Sequence, residues 1–333
     1  VAYFGDWRGS IWAVDVSTGA EIWQTSVGGF VVGAPAVAGD AVYASSGAVL
    51  RRLSRATGAI EWSAVTNPSG FAQINASPVV VDDLVLQGTA SFEVTIPRED
   101  YVFRGSIGAF DAETGTEVWR FYATPDDETG GASVGIWSTP AVDRKRGVLY
   151  VGSGNTYEEP TAPLADALLA IDYRTGELVW ATQFTYPDVF SAGHPIGKDA
   201  DVGASPNLWR SKGRAMVGAG DKGGVYHALD RETGAIVCQT SLTRGGLFGG
   251  EIGSAAYVDR KLIAVSNDGV SGVARAFALD PGTGAILWTA ADLPGRIFAP
   301  VGAVRGVAFV GTDAGTLLAL DTRTGETLWS HTA

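Results

Sequence analysis

The chain has 333 residues, with 36 acidic against 24 basic side chains and a formal net charge of −12. That sign excludes nucleic acid and an anionic membrane surface as partners held by charge. One cysteine excludes an intrachain disulfide and a Cys-x-x-Cys-His haem attachment, and no apolar run is long enough to span a bilayer.

In chain order the elements follow one phrase, Ala-x-Asp-x-x-Thr-Gly-x-x-x-Trp. It runs Ala13 to Trp23, Arg52 to Trp62, Ala109 to Trp119, Ala170 to Trp180, Ala228 to Cys238, Ala278 to Trp288 and Ala319 to Trp329. Two copies are worn: Ser54 holds the Asp slot of the second, and Cys238 the Trp slot of the fifth. Every copy keeps Thr-Gly. Apolar alternation ahead of the Asp (Ile11, Ala13; Leu318, Leu320) predicts a strand, and so does the stretch ending on Trp. Between them Asp-x-x-Thr-Gly predicts a tight turn, with the carboxylate on backbone amides and the glycine at positive φ. The Trp is expected to bury its ring against a neighbouring unit.

Upstream of most copies lies a strand-pair signature, Ala34-Pro35-Ala36-Val37 then Ala41-Val42-Tyr43. It returns at Ser77-Pro78, Thr139-Pro140, Ser205-Pro206 and Ala299-Pro300. Each unit therefore reads as a four-stranded antiparallel meander. The Thr-Gly turns recur at intervals of roughly 40 to 60 residues, so the longer intervals hold one blade plus a loop. The expected fold is all-β, a single β-propeller domain over residues 1–333 with seven tryptophan-docking repeats. Its first unit, opening at Val1, is expected to lack the innermost strand. Seven blades closing the ring and a ring needing an eighth from flanking sequence both fit. The chain shows no signal peptide and opens without Met, as a processed start would.

Two motifs read as accidents. Gly218-x-Gly220-x-x-Gly223 matches a dinucleotide fingerprint, but a strand is expected where that site needs a helix. Gly131-x-Ser133-x-Gly135 matches a nucleophile elbow, again with no helix after it. His194, His227, His331 and the one cysteine are too scattered for a zinc site.

Oxygen chemistry is what remains, in the long middle insertions. Glu93, Trp137, Asn155, Asp201 and Lys222 each stand beside an inner-strand signature, where loops converge on the ring axis. Two carboxylates and an amide oxygen suit calcium, and a lysine with a flat indole suits a planar anion. The same residues also read as solvated loop acids (Glu93, Asp201) and inter-blade packing (Trp137).

The repeats and five further stretches resemble the PQQ-dependent quinoprotein alcohol dehydrogenases, in particular their polyvinyl alcohol dehydrogenase branch. Those stretches are Gly135-Ile-Trp-Ser-Thr-Pro, Leu149-Tyr-Val-Gly-Ser-Gly-Asn155, Arg104-Gly-Ser, Asp201-Val-Gly-Ala-Ser-Pro and Gly249-Gly-Glu-Ile-Gly. The resemblance runs nearly end to end. It implies an eight-bladed propeller carrying pyrroloquinoline quinone (PQQ) on its axis. By position it implies Trp137 as the floor under the quinone, Glu93 and Asn155 as calcium ligands, and Asp201 as catalytic base and metal neighbour. Lys222 would be the cation at the quinone carbonyls. Some lanthanide-using relatives carry an extra acid two residues after the base; Gly203 stands there, which favours Ca2+. An external cytochrome c acceptor and a periplasmic or secreted location follow from the same resemblance.

The chain also departs from the pattern. It has no disulfide of adjacent cysteines over the quinone. Val32 falls where an arginine grips a quinone carboxylate, and two hydroxyl contacts fall at Asn75 and Ala90. The expected function is a PQQ- and calcium-dependent dehydrogenase of secondary alcohols, polymeric ones included. The alternative is a non-catalytic propeller serving as a binding or assembly scaffold.

Overall fold

The computed structural model describes residues 1–124 and 132–332. Gly131 of the elbow-like motif lies outside them. Strands dominate, and the seven repeats form seven antiparallel sheets, hereafter blades 1 to 7. Blade 1 has three strands, Ala2–Gly5, Ser10–Val14 and Glu21–Ser26, so the missing innermost strand is observed. Blade 2 runs from Ala36–Ala38 to Ile60–Val65, blade 4 from Ala141–Asp143 to Leu178–Gln183, and blade 5 from Asn207–Ser211 to Ile236–Ser241. Blade 6 runs from Ala256–Val258 to Ile286–Leu293 and blade 7 from Gly302–Val304 to Thr327–Thr332. Blade 3 runs from Val79–Val81 to Glu117–Tyr122; its long second strand, Leu84–Ser91, also pairs with Ala72–Gln73. Innermost strands of successive blades adjoin, as Ala36–Ala38 does Val79–Val81, which arranges the sheets radially.

The repeated phrase works as its chemistry dictates. The carboxylate of Asp15 accepts the Ser17 and Thr18 amides, and Asp111, Asp172, Asp230, Asp280 and Asp321 repeat the pattern. Where Ser54 replaces Asp, the turn persists on backbone bonds from Ser54 to Ala59 and from Gly58 to Ser54. All seven turn glycines lie at positive φ, between 72° and 77°.

Six of these seven glycines have a second reason to lack a side chain. A Cβ on Gly58 would stand 2.6 Å from the Trp23 ring, and Gly115, Gly176, Gly234 and Gly325 meet Trp62, Trp119, Trp180 and Trp288 in the same way. The indole of one blade thus lies flat on the turn of the next. Four of these indoles donate N–H to a carbonyl there: Trp23 to Arg55, Trp62 to Ala112, Trp119 to Tyr173 and Trp288 to Thr322. Cys238 keeps the contact, with Gly284 against its sulfur. The series stops at the last blade. Trp329 is 50% exposed, and nothing stands over Gly19.

The strand Val225–Asp230 follows the fingerprint-like glycines, and no helix follows Gly135, so neither accidental motif has its required context.

Candidate functional site

Loops from blades 3, 4 and 5 converge on the axis and enclose a cavity of about 220 Å³. Asn75, Ala90, Trp137, Asn155, Asp201 and Lys222 all line it. Backbone bonds fix their relative positions. The Gly154 amide donates to the Gly135 carbonyl, the Val202 amide to Ser153, and the Lys222 amide to the Asp201 carbonyl. Sequence-distant loops are thereby threaded into one layer.

Asp201 sits at the centre of the polar wall. One carboxylate oxygen accepts the Asn155 amide at 2.5 Å, and the other accepts the Lys222 ammonium at 3.2 Å. Asn155 spends both side-chain hydrogens on the Thr156 and Phe190 carbonyls, at 2.7 and 2.6 Å. That fixes its amide flip and leaves Oδ1 as the acceptor available to the cavity. Neither Glu93 nor Asp201 is a solvated loop acid; both are buried.

Lys222 also contacts Asp199, which lines the same cavity. Burial pushes the Asp199 carboxyl up, the repulsion of Asp201 adds to it, and Lys222 only partly offsets them, leaving it at about 7. For Lys222, burial works against its charge, but Asp201 and Asp199 outweigh it and hold the ammonium above its ordinary value. Asp188 organises this loop from behind, accepting the Lys198, Asp199 and Ala200 amides at 2.7 to 3.2 Å.

Trp137 forms the floor. Gly203 lies under its six-membered ring, where a Cβ would come within 1.7 Å of Cη2. An acid at 203 has no room beneath this indole.

Glu93 is placed differently from the other candidates. It begins a 3-10 turn, Glu93–Thr95, and is fully buried, but it does not line the cavity. Its carboxylate faces Arg98 at 2.8 Å and accepts the Val102 and Phe103 amides. Among the described residues no three His, Cys, Asp or Glu side chains converge as a metal-holding group.

Against this geometry, residues 40–242 match the family model of the glucose/ethanol/alcohol dehydrogenase β-propeller (PQQ) domain. The chain belongs to the PQQ dehydrogenase β-propeller family. Residues 221–333 also match the model described as outer membrane protein assembly factor BamB.

Among relatives of this PQQ propeller is the polyvinylalcohol dehydrogenase of Sphingopyxis sp. (strain 113P3), 27% identical over 96% of this chain and 58% of that protein. The quinohemoprotein alcohol dehydrogenase ADH IIB of Pseudomonas putida is 28% identical over 68% of this chain and 37% of its own length. The chain thus spans well under two thirds of these relatives. In fold it is similar to quinohemoprotein alcohol dehydrogenase ADHIIG from Pseudomonas putida HK5, with a TM-score of 0.78 and 19% identity, covering 99% of this chain and 64% of that one. BamB from Moraxella catarrhalis scores 0.65 at 16% identity, covering 99% and 82%.

Within the PQQ propeller, the three departures fall in different places. Asn75 and Ala90 line the axial cavity, whereas Val32 lies on the far side of Trp137 at the mouth of a second cavity. The remaining wall, from Ser91, Val94, Ser133, Tyr157, Phe190 and Leu247, was not foreseen. Burial drives the Tyr157 hydroxyl well above its ordinary value, so it stays neutral. No helix of the described residues is long and apolar enough to cross a membrane.

Proposed function

We propose that the chain is the quinone-binding propeller of a PQQ- and calcium-dependent alcohol dehydrogenase. Its substrates are secondary alcohols, including polyvinyl alcohol-like polymers, and its electrons pass to a separate cytochrome c in the periplasm or outside the cell. The observation that carries this reading is the gathering of Trp137, Asn155, Asp201 and Lys222 on one axial cavity. The polyvinylalcohol dehydrogenase and quinohemoprotein alcohol dehydrogenase relatives support the alcohol substrate class, and a related lupanine 17-hydroxylase (cytochrome c) of Pseudomonas sp. supports the acceptor.

The donor set fits the cofactor pair. Asn155 Oδ1 and the Asp201 carboxylate are hard oxygen donors suited to calcium. Glu93, outside the cavity lining and paired with Arg98, would have to release Arg98 to serve as a third donor. Trp137 offers a flat face, and the Lys222 ammonium a positive contact for a quinone oxygen. When bound, PQQ supplies the hydride acceptor and calcium the Lewis acid that activates it. Asp201 takes the alcohol proton: of the two carboxylates on the cavity wall, Asp199 and Asp201, it is the one held by the Asn155 amide as well as by Lys222. Lys222 stabilises charge on Asp201 before the transfer, and Asp199 balances Lys222 afterwards. Tyr157, Phe190, Val94 and Leu247 restrict water around the reacting atoms.

Calorimetric titration of apo-protein with PQQ, with calcium present and then chelated, tests the reading. One-to-one, calcium-dependent binding is expected, and Asp201→Ala should abolish PQQ-dependent dye reduction with the fold intact. Absence of binding at high micromolar PQQ, or unchanged turnover in Asp201→Ala, would overturn it in favour of a non-catalytic scaffold.

A further inference from the structure

On the opposite side of Trp137 from Asp201 the axis opens into a second cavity, of about 700 Å³. That size suits a small-molecule site. Trp137 and Gly203 separate the two cavities, since the glycine packs on the indole without a gap for a methyl group. Among the described residues no charged side chain lines the lower one.

The strand-pair signatures build its wall, in a way their proline hides in the sequence. The Ala34 amide donates to Ser77 Oγ at 2.9 Å, and the Ser77 amide to Thr139 Oγ1 at 2.9 Å. The Thr139 amide donates to Ser205 Oγ at 3.1 Å, and the Ser205 amide to Ser254 Oγ at 2.7 Å. A belt of amide-to-hydroxyl bonds therefore passes from blade 2 to blade 6 around the axis. Each hydroxyl oxygen is used as an acceptor, and its own proton has no acceptor among the described residues. A hydroxyl that accepts an amide still donates. Ser77, Thr139, Ser205 and Ser254 all line the cavity, so four O–H donors border a space with no carboxylate and no cation among the described residues. Apolar surface from Val32, Ile252 and Phe298 completes the wall, and exposed Val32 and Phe298 mark its mouth.

We propose that this lower channel binds an uncharged, oxygen-rich chain molecule, a polyol or polyether. Its oxygens accept the four hydroxyl protons while its methylene groups lie on Val32, Ile252, Phe298 and the underside of Trp137. An anion is disfavoured, because no cation replaces its hydration and the protein's net charge repels it. The proposal stands apart from the quinone reading, since the two cavities share only Trp137 and Asn75.

The test uses tetraethylene glycol dimethyl ether, which accepts hydrogen bonds and carries no oxidisable hydroxyl. Calorimetry and ligand-observed NMR on the apo-protein should show saturable one-to-one binding. Ser205→Ala should raise Kd at least tenfold. Because that change also strands the Thr139 amide, Val32→Trp provides a second variant, blocking the mouth from an exposed position. It should abolish binding with the melting temperature unchanged. Asp201→Asn, in the other cavity, should leave polyether affinity as it was, whatever its effect on PQQ. Non-saturating heats, binding that survives Val32→Trp, or saturable sulfate binding in place of the ether would each overturn the proposal.

Discussion

Gly203 supports the indole of Trp137 at van der Waals contact, so the residue two places after Asp201 sets the height of the cavity floor. Gly203→Ala must push the ring toward the space assigned to the quinone. We expect at least a tenfold loss of PQQ affinity with the far-ultraviolet dichroism unchanged. Gly302→Ala, whose nearest neighbour is Phe309 Cβ at 3.9 Å, serves as control. Equal affinities in the two variants would separate the floor from cofactor binding.

Docked and undocked tryptophans should differ in energetic weight. Trp119→Ala removes a ring seated on Gly176 and a hydrogen bond to Tyr173, and should cost about 3–5 kcal/mol. Trp329→Ala removes a half-exposed ring and should stay within about 1 kcal/mol. Urea unfolding of the two variants checks the contrast.

Arg98 competes with any cation for Glu93. Arg98→Gln frees the carboxylate from its ion pair, and calcium should then bind several-fold more tightly. A calcium Kd that does not move would remove Glu93 from the ligand set and leave Asn155 and Asp201.

Glu251 ties stability to pH. It is fully buried beside Gly220, and apart from a weak approach of the Ala255 amide its oxygens have no partner. Burial, with Asp221 adding to it, holds its carboxyl well above the ordinary value of 4.5. The folded protein then keeps a proton that the unfolded chain releases above that pH. Stability therefore falls as pH rises from the unfolded value toward the folded one, by at most about 1.4 kcal/mol per pH unit for this group. Glu251→Gln lacks the term, so its melting temperature relative to wild type should increase between pH 5 and pH 8. A constant difference across that range would contradict the assignment.

The blade architecture was legible because it rests on local chemistry. A turn that needs Asp, Thr-Gly and a positive φ writes itself into consecutive residues, and Trp23 to Gly58 repeats at a readable interval. Even Ser54 and Cys238 sit where their copies place them. Trp137, Asn155, Asp201 and Lys222 were legible through short motifs beside inner strands. Glu93 was read by position as a cavity residue, but the 3-10 turn aims its carboxylate at Arg98, a pairing spacing does not announce. Asp188 and Asp199 were missed because their roles arise from loop contacts across blades. The hydroxyl belt was hidden for a similar reason: Ser77-Pro and Thr139-Pro read as strand starts, and their bonds join residues more than forty positions apart.

Because each junction joins a tryptophan of one blade to a glycine of the next, the array has a direction. In this chain it has six seated contacts for seven blades, with Gly19 uncovered at one extremity and Trp329 at the other. Energetically each interior blade is held by two nearest-neighbour couplings, one through its tryptophan and one through its turn glycine. Amide exchange should therefore be slowest in the buried strands of interior blades such as 3 to 5, which are coupled on both sides.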